Sequence, residues 1–321
     1  MTPRTVLVIG GSGFVGSHLV AQLAAQTGRD IIVPTRRYER ARHLLLLPTV
    51  LIVEADVNHD EALDQLLPGV DAVVNLTGVL HSKPDRRGAS YGPAFAQAHV
   101  ELPKRIVAAC AAHRVPRYLH MSALGAAADG PSMYLRSKAD GELAARSSTT
   151  LATTIFRPSV IFGPEDHFMN RFAALQRFFP LMPLGGADAR FQPVYVADVA
   201  RAFIHALDDD LTAGNTYELA GPNIYTLRQL VELAGLWSGH PRLVIGLPVP
   251  LARLQAWLLE CMPGEPLMSR DNLDSMKVDN VAAGPIAPIL GIEPTPLEAV
   301  APYYLSGQPP HNAMPEVVVR S

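Results

Sequence analysis

Tyr134 and Lys138 stand four residues apart in SMYLRSKADGE, residues 132–142, and Ser122 precedes the tyrosine by twelve. A spacing of four puts two side chains on one helix face, so a phenol and an ammonium can flank one ligand. A free phenol titrates near pH 10, too high for acid–base work at neutrality, but an adjacent cation stabilises the phenolate and draws that value down. A hydroxyl at a strand end, as expected for Ser122, can polarise a carbonyl held beside them. Together the three form an apparatus for hydride transfer to or from a carbonyl or secondary alcohol, with Ser122, Tyr134 and Lys138 as its catalytic candidates. On its own the Tyr–Lys pair is most often packing and solvation on an amphipathic helix, so the surrounding elements decide its meaning.

VLVIGGSGFVGSHL places Gly10, Gly13 and Gly16 after an apolar run and before an amphipathic pattern that opens with Phe14 and Val15. Glycines there let the backbone turn sharply and approach a pyrophosphate, whose charge the free N–H groups and the helix dipole favour. The next apolar run ends in DIIVPTRR, so Thr35, Arg36 and Arg37 stand where an acid would meet the adenine ribose of NAD(H). Arginine offers a fork of donors to a 2′-phosphate, so NADP(H) is the preferred coenzyme, with NAD(H) the alternative. A solvated basic run is the plain reading, since Arg40 and Arg42 continue it. Asp56, with Val57 beside it, follows the third run and either accepts from the adenine amino group or caps the next helix.

Short Val- and Ile-rich runs at 5–10, 30–34, 50–55, 71–77, 117–122 and 151–157 alternate with helical patterns at 14–26, 61–67, within 94–113 and at 132–145. Such alternation predicts βαβ units, and near-continuous apolar runs predict strands covered on both faces. The expected fold is α/β: a Rossmann-type doubly wound parallel sheet with a smaller C-terminal substrate lobe. Residues 1–163 with parts of 191–221 form the dinucleotide-binding domain, 164–190 and 222–305 the lobe, and 306–321 a tail. FGPED and LMPLGGADARFQP read as loop-rich insertions; a helix at 196–209, a strand at 215–221 and a helix over 226–237 follow.

The bulk numbers bound the function. With 48% hydrophobic and 18% charged residues, the chain is too apolar for disorder and too evenly charged for a membrane bundle. A net charge of −3 gives no electrostatic footprint for nucleic acid, and none is expected as a partner. Two cysteines, Cys110 and Cys261, make no disulfide framework and fit a reducing, cytoplasmic compartment. The segment nearest to a membrane element, residues 244–262, is interrupted by Pro248, Pro250, Arg253 and Glu260. Its Leu251, Leu254, Trp257 and Leu258 recur at helical spacing, a stripe expected to face the protein's own core, with a partner or membrane surface as the sharper alternative.

GGSGFVG at 10–16, NLTG at 75–78, Ser122, YLRSK at 134–138, RPSVIFGP at 157–164 and VYVADVA at 194–200 together resemble the extended branch of the short-chain dehydrogenase/reductase superfamily. The resemblance implies that Tyr134 is the acid–base, that Lys138 lowers its pKa and holds the nicotinamide ribose, and that Ser122 orients the carbonyl. It further implies that Leu76, Thr77 and Gly78 line the coenzyme and that Pro158 to Val160 lie near the nicotinamide. YLRSKADGE, RPSVIFGPEDHFMNRF, GPNIYTLRQLVELA and LMSRDNLDSM are similar to the group containing the nucleotide-binding accessory subunit of mitochondrial respiratory complex I. That likeness implies NADPH binding, a structural rather than catalytic part, and peripheral association with a membrane respiratory complex. A nucleotide-sugar epimerase or dehydratase is the third expectation, and the small-molecule substrate is left unnamed.

One departure stands out: HVELP, with His99 and Pro103, replaces the extended branch's N-x-x-G-T on the fourth helix, so a relay through asparagine is altered and Pro103 should kink or restart the helix. Eleven histidines suggest metal, but no zinc-like spacing appears and no metal is expected. His120 reads as a core or near-core imidazole, and Asp166 and His167, after the FGP turn, either border the pocket or, the plainer reading, cap the helix that follows. DNLDS at 271–275 has no evident chemical role.

Overall fold

Successive side chains of a strand point to opposite faces, and β1 (Thr5–Ile9) shows why its run is apolar throughout. Val6 and Val8 enter one core while Leu7 and Ile9 enter another on the far side of the sheet. The computed structural model describes residues 4–85, 88–264 and 266–307; the expected tail lies outside them from residue 308 onward.

After β1 come β2 (Asp30–Thr35), β3 (Val50–Glu54), β4 (Ala72–Asn75), β5 (Arg117–Met121) and β6 (Ala152–Pro158). The short strand β7 (Ile161–Phe162), then β8 (Leu181–Gly185), β9 (Arg190–Phe191) and β10 (Val194–Tyr195) precede β11 (Thr216–Leu219), which returns to pair with β6. The result is a seven-stranded parallel sheet in the order β11-β6-β5-β4-β1-β2-β3. Helix α1 (Phe14–Ala24) lies against one face. Helix α2 (Asp60–Leu66), the single turn α3 (Pro93–Phe95), α4 (Leu102–His113) and α5 (Met133–Ala145) follow, and Leu63, Leu102, Ile106 and Ala145 build the core on the other face. Each such aliphatic side chain withdrawn from water contributes roughly 1.5–3 kcal/mol, which fixes the sandwich.

Between α3 and α4 the helix widens into a π segment over Ala96–Glu101. Pro103 has no N–H to give the carbonyl four residues before it, that of His99, so the ordinary ladder fails there and the chain restarts as α4. The freed His99 carbonyl lies against α5: a methyl group on Gly141 would come within 2.2 Å of it, so only glycine permits this approach.

Helix α6 (Met169–Phe178) precedes α7 (Val196–Asp208), which joins α1 on its face of the sheet. β12 (Tyr225–Thr226) leads into α8 (Leu227–Trp237), started by a Thr226–Gln229 capping box. The LMPLG stretch, expected as loop, is instead strand β8, paired in parallel with β13 (Leu243–Leu247). Pro183 and Gly185 are tolerated because the ribbon has only two strands and exposed edges.

Helix α9 (Val249–Glu260) overturns the core expectation for its stripe. Leu251, Leu254, Trp257 and Leu258 are 52%, 50%, 47% and 53% exposed, and the helix instead buries Ala252 and Ala256. A methyl on Gly185 would stand 2.9 Å from the Ala252 Cβ, so small residues on both sides let α9 lie close on β8 and turn its large side chains outward. The last helices are α10 (Arg270–Ser275) and α11 (Ala301–Ser306).

Ala252→Leu should overpack this contact and cost about 1–3 kcal/mol in urea unfolding, while Trp257→Ser should change stability by less than about 0.5 kcal/mol. The reverse order would place the stripe in the core.

Candidate active site

The chain runs outward from β1 through β2 to β3, then returns to the opposite neighbour of β1 at β4. Loops leaving the two strands at such a reversal part to opposite sides and open a crevice at their C-terminal ends. Gly10 holds φ +83 at the end of β1, and a methyl on Gly16 would lie 2.2 Å from the Gly10 carbonyl, so turn and helix meet backbone to backbone. Gly13 caps α1 without a side-chain hydrogen bond, and no acid sits in the first turn. The helix N–H groups beyond it, at Phe14, Val15 and Gly16, lack a side-chain cap, a cradle that fits a pyrophosphate. Leu76 and Thr77 form the opposite wall, where their backbone would stand 3.3 Å from a methyl on Gly10, held by the Thr77 N–H donating to Asn75 Oδ1 at 3.0 Å.

At the end of β2 the Thr35 hydroxyl donates to the Arg37 carbonyl at 3.0 Å, and Arg36 and Arg37 are exposed. Asp56 does not cap α2, whose N-cap is His59; its Oδ1 accepts from the backbone and side chain of Asn58 at 3.1 and 2.7 Å. Burial works to raise the Asp56 carboxyl, but the Asn58 bonds and the Arg36 charge prevail and hold it below the usual range. Val57 packs against the Leu7 and Ile9 core.

Tyr134 and Lys138 do share a face of α5. The Lys138 ammonium, only 3% exposed, lies 5.9 Å from the Tyr134 ring centre and donates to the Met121 carbonyl at 3.2 Å. Gly78 is brought to the same place, since a methyl on it would stand 3.4 Å from Lys138 Nζ. The expected electrostatics differ. Burial pushes the Tyr134 phenol up to about 12 and pulls Lys138 down to about 8, against the opposing pull of Glu142.

Ser122 follows β5 as expected, but its buried hydroxyl donates to Glu142 Oε1 at 2.5 Å. Glu142 is eight residues past Tyr134, about 12 Å along the helix axis. Arg157 of β6 binds the same carboxylate through Nε and Nη2, both at 2.7 Å. Pro158 ends β6, its carbonyl accepts the Leu124 N–H at 2.9 Å, and Val160 N–H donates to Asn280 Oδ1 at 3.0 Å.

His99 reaches the site beyond what its sequence position alone implied. Its Nε2 accepts the Val79 N–H at 3.1 Å, which leaves the proton on Nδ1, 2.8 Å from Ser137 Oγ. The Ser137 hydroxyl passes its own proton to the Tyr134 carbonyl at 2.8 Å. The imidazole stacks on Phe95 and meets the Tyr134 ring edge-on, with centroids 5.3 and 5.6 Å apart. HVELP in place of the usual asparagine pattern is the one signal of it in the sequence. His120, in the core as expected, contacts Tyr118 and Asn75. Asp166 Oδ1 accepts from the N–H groups of Phe168 and Asn170 ahead of and within the first turn of α6, whose N-cap position is Phe168. Two surface grooves, of about 450 and 270 Å³, lie elsewhere, against α1 and α7 and against α4.

Burial first, and the Lys138 charge second, pull His99 down to about 2 and His120 to about 3. Unfolded, both take a proton near their ordinary 6.5, so below that pH the unfolded chain binds more protons and folding stability falls as pH drops. Each imidazole should contribute about 1 kcal/mol per pH unit of this loss between pH 6 and 4. Urea unfolding of His99→Gln should show a shallower pH slope than the parent; an equal slope would contradict a buried neutral His99.

Residues 6–220 match the NAD dependent epimerase/dehydratase family. The NADH dehydrogenase [ubiquinone] 1 alpha subcomplex subunit 9 of Mus musculus is 33% identical over 91% of this chain and 77% of its own length. Its Arabidopsis thaliana counterpart is 32% identical over 86% and 70%. A dTDP-glucose 4,6-dehydratase from Streptomyces venezuelae, solved with NAD, superposes with a TM-score of 0.64 at 24% identity, over 76% of this chain and 85% of that one, a likeness of fold. The chain belongs to the NAD dependent epimerase/dehydratase family, the extended branch of the short-chain dehydrogenases/reductases.

Proposed function

We propose that this protein binds NADP(H) in the crevice between the β1 and β4 loops and holds it as a firmly kept ligand, serving as an accessory or assembly factor of a respiratory membrane complex. The carrying observation is the commitment of Ser122. Its hydroxyl proton is given to Glu142 Oε1, which Arg157 Nε also binds, so turning it toward a substrate carbonyl would cost a charge-assisted hydrogen bond in a buried setting. The raised Tyr134 phenol and the single-tautomer His99 support the same reading, because neither is poised to exchange protons at neutral pH. Bound nicotinamide would bring hydride chemistry. The chain's own residues bind and orient it: Gly10 to Gly16 at the pyrophosphate, Arg36 and Arg37 at a 2′-phosphate, Gly78 and Lys138 toward the ribose.

The partner side of the proposal draws on the two relatives named as complex I subunits and on the outward apolar face of α9. No helix among the described residues is long and apolar enough to cross a membrane, so association through that face would be peripheral. Hydride transfer to or from a carbonyl or secondary alcohol is the second reading, favoured by the shared face of Tyr134 and Lys138. In it Tyr134 would move a proton at its phenol oxygen once bound ligands had lowered its pKa.

Fluorescence titration should show NADPH bound at least tenfold more tightly than NADH, and Arg36→Asp with Arg37→Asp should abolish the preference. Tyr134→Phe should leave NADPH affinity within about twofold of the parent. Turnover of a carbonyl compound that Tyr134→Phe abolishes would instead establish the second reading.

A further inference from the structure

Residues 271–282 lie more than a hundred positions from α5 in sequence, yet they hold the backbone at the Tyr134 end of α5 and at Ser159–Val160. Asp271, buried, accepts the Met133 N–H at 2.7 Å and the Tyr134 N–H at 3.1 Å, one on each carboxylate oxygen. Ser132 takes the Leu135 N–H at 3.1 Å and receives the Ser275 hydroxyl at 2.8 Å. The first three N–H groups of the helix carrying Tyr134 are therefore satisfied, two of them from another part of the chain. Five residues past Ser275, Asn280 Oδ1 accepts from Ser159 Oγ at 2.6 Å and from the Val160 N–H at 3.0 Å, while its backbone pairs with Arg190 and Gln192.

We propose that Asp271 and Asn280 are positioning residues of a clasp, by which the C-terminal segment fixes the Tyr134 end of α5 and the Ser159–Val160 loop at the spacing that NADPH requires. A helix N-terminus without its acceptors frays, and a loop that loses its side-chain anchor gains freedom that binding must then remove. Coenzyme binding and docking of this segment thus reinforce one another. The clasp is also joined to α9, because Glu260 accepts the Arg270 N–H at 2.6 Å and Asp274 pairs with Arg253 at 3.2 Å. The inference rests on the NADP(H) reading, and its test separates the two.

The test is hydrogen–deuterium exchange of the full chain with and without NADPH, together with NADPH titration followed by the nicotinamide emission spectrum. In the parent, NADPH should slow exchange at residues 133–135 and within 271–282. Asp271→Ala should speed exchange at 133–135 without nucleotide, weaken NADPH roughly tenfold and shift the emission of bound NADPH. Asn280→Ala should weaken NADPH similarly, while Asn280→Asp, which keeps an acceptor oxygen, should restore it. Asp271→Asn provides the milder variant if the alanine chain fails to fold. Parental NADPH affinity and emission in both alanine variants would overturn the clasp. Failure of the parent itself to bind NADPH, with exchange at 133–135 still faster in Asp271→Ala, would sink the coenzyme reading and leave these contacts a brace for α5 alone.

Discussion

Arg157 grips both oxygens of Glu142, and that carboxylate, buried on the inner side of α5, takes the Ser122 hydroxyl as its third donor. Three elements meet in this contact: the end of β5, strand β6 and the second half of α5. A buried carboxylate is tolerated only when its lone pairs are met and its charge is opposed, and removing Arg157 would leave it a costly orphan. The arrangement therefore locks α5 in rotation and depth against the sheet. Tyr134 and Lys138 inherit their places from that lock, two turns and one turn back along the same helix.

Polar groups around the tyrosine follow the same economy of partners. Lys138 satisfies a donor on the Met121 carbonyl, His99 uses both ring nitrogens, and Asp271 and Ser132 close the N-terminus of α5. The coenzyme cradle differs in kind. The α1 N-terminus carries no side-chain cap and no acid, and Arg36 and Arg37 reach solvent, so the groups left open are those that suit phosphate. Ser122, Lys138 and His99 are held by partners within the protein, while the start of α1 is left uncapped and the two arginines are exposed. That contrast is what supports the coenzyme-holding proposal.

Much of this is legible in the sequence because it is local. Continuous Val and Ile runs mark strands covered on both faces, the glycine spacing marks the turn into α1, and Thr226 marks the start of α8. HVELP announces the break in the fourth helix, since a proline must orphan a carbonyl four residues back. What stays hidden depends on distant partners. Ser122 sits where a strand-end hydroxyl is expected, but its direction is set by Glu142 and Arg157, which no spacing rule joins to it. A neighbouring ammonium leads one to expect a lowered Tyr134 phenol, whereas burial, invisible in a string of letters, raises it. The stripe on α9 has the right period and the wrong direction, because the inward face is chosen by how closely Ala252 can approach Gly185. DNLDS shows no chemistry of its own, and its first aspartate, Asp271, acts on backbone groups of Met133 and Tyr134.

Native mass spectrometry of the protein purified without added nucleotide measures the central claim directly. The folded chain should carry the added mass of one NADP(H), kept through extended dialysis. A bare chain that takes up no added NADPH, or one that carries NAD(H) in its place, would contradict it.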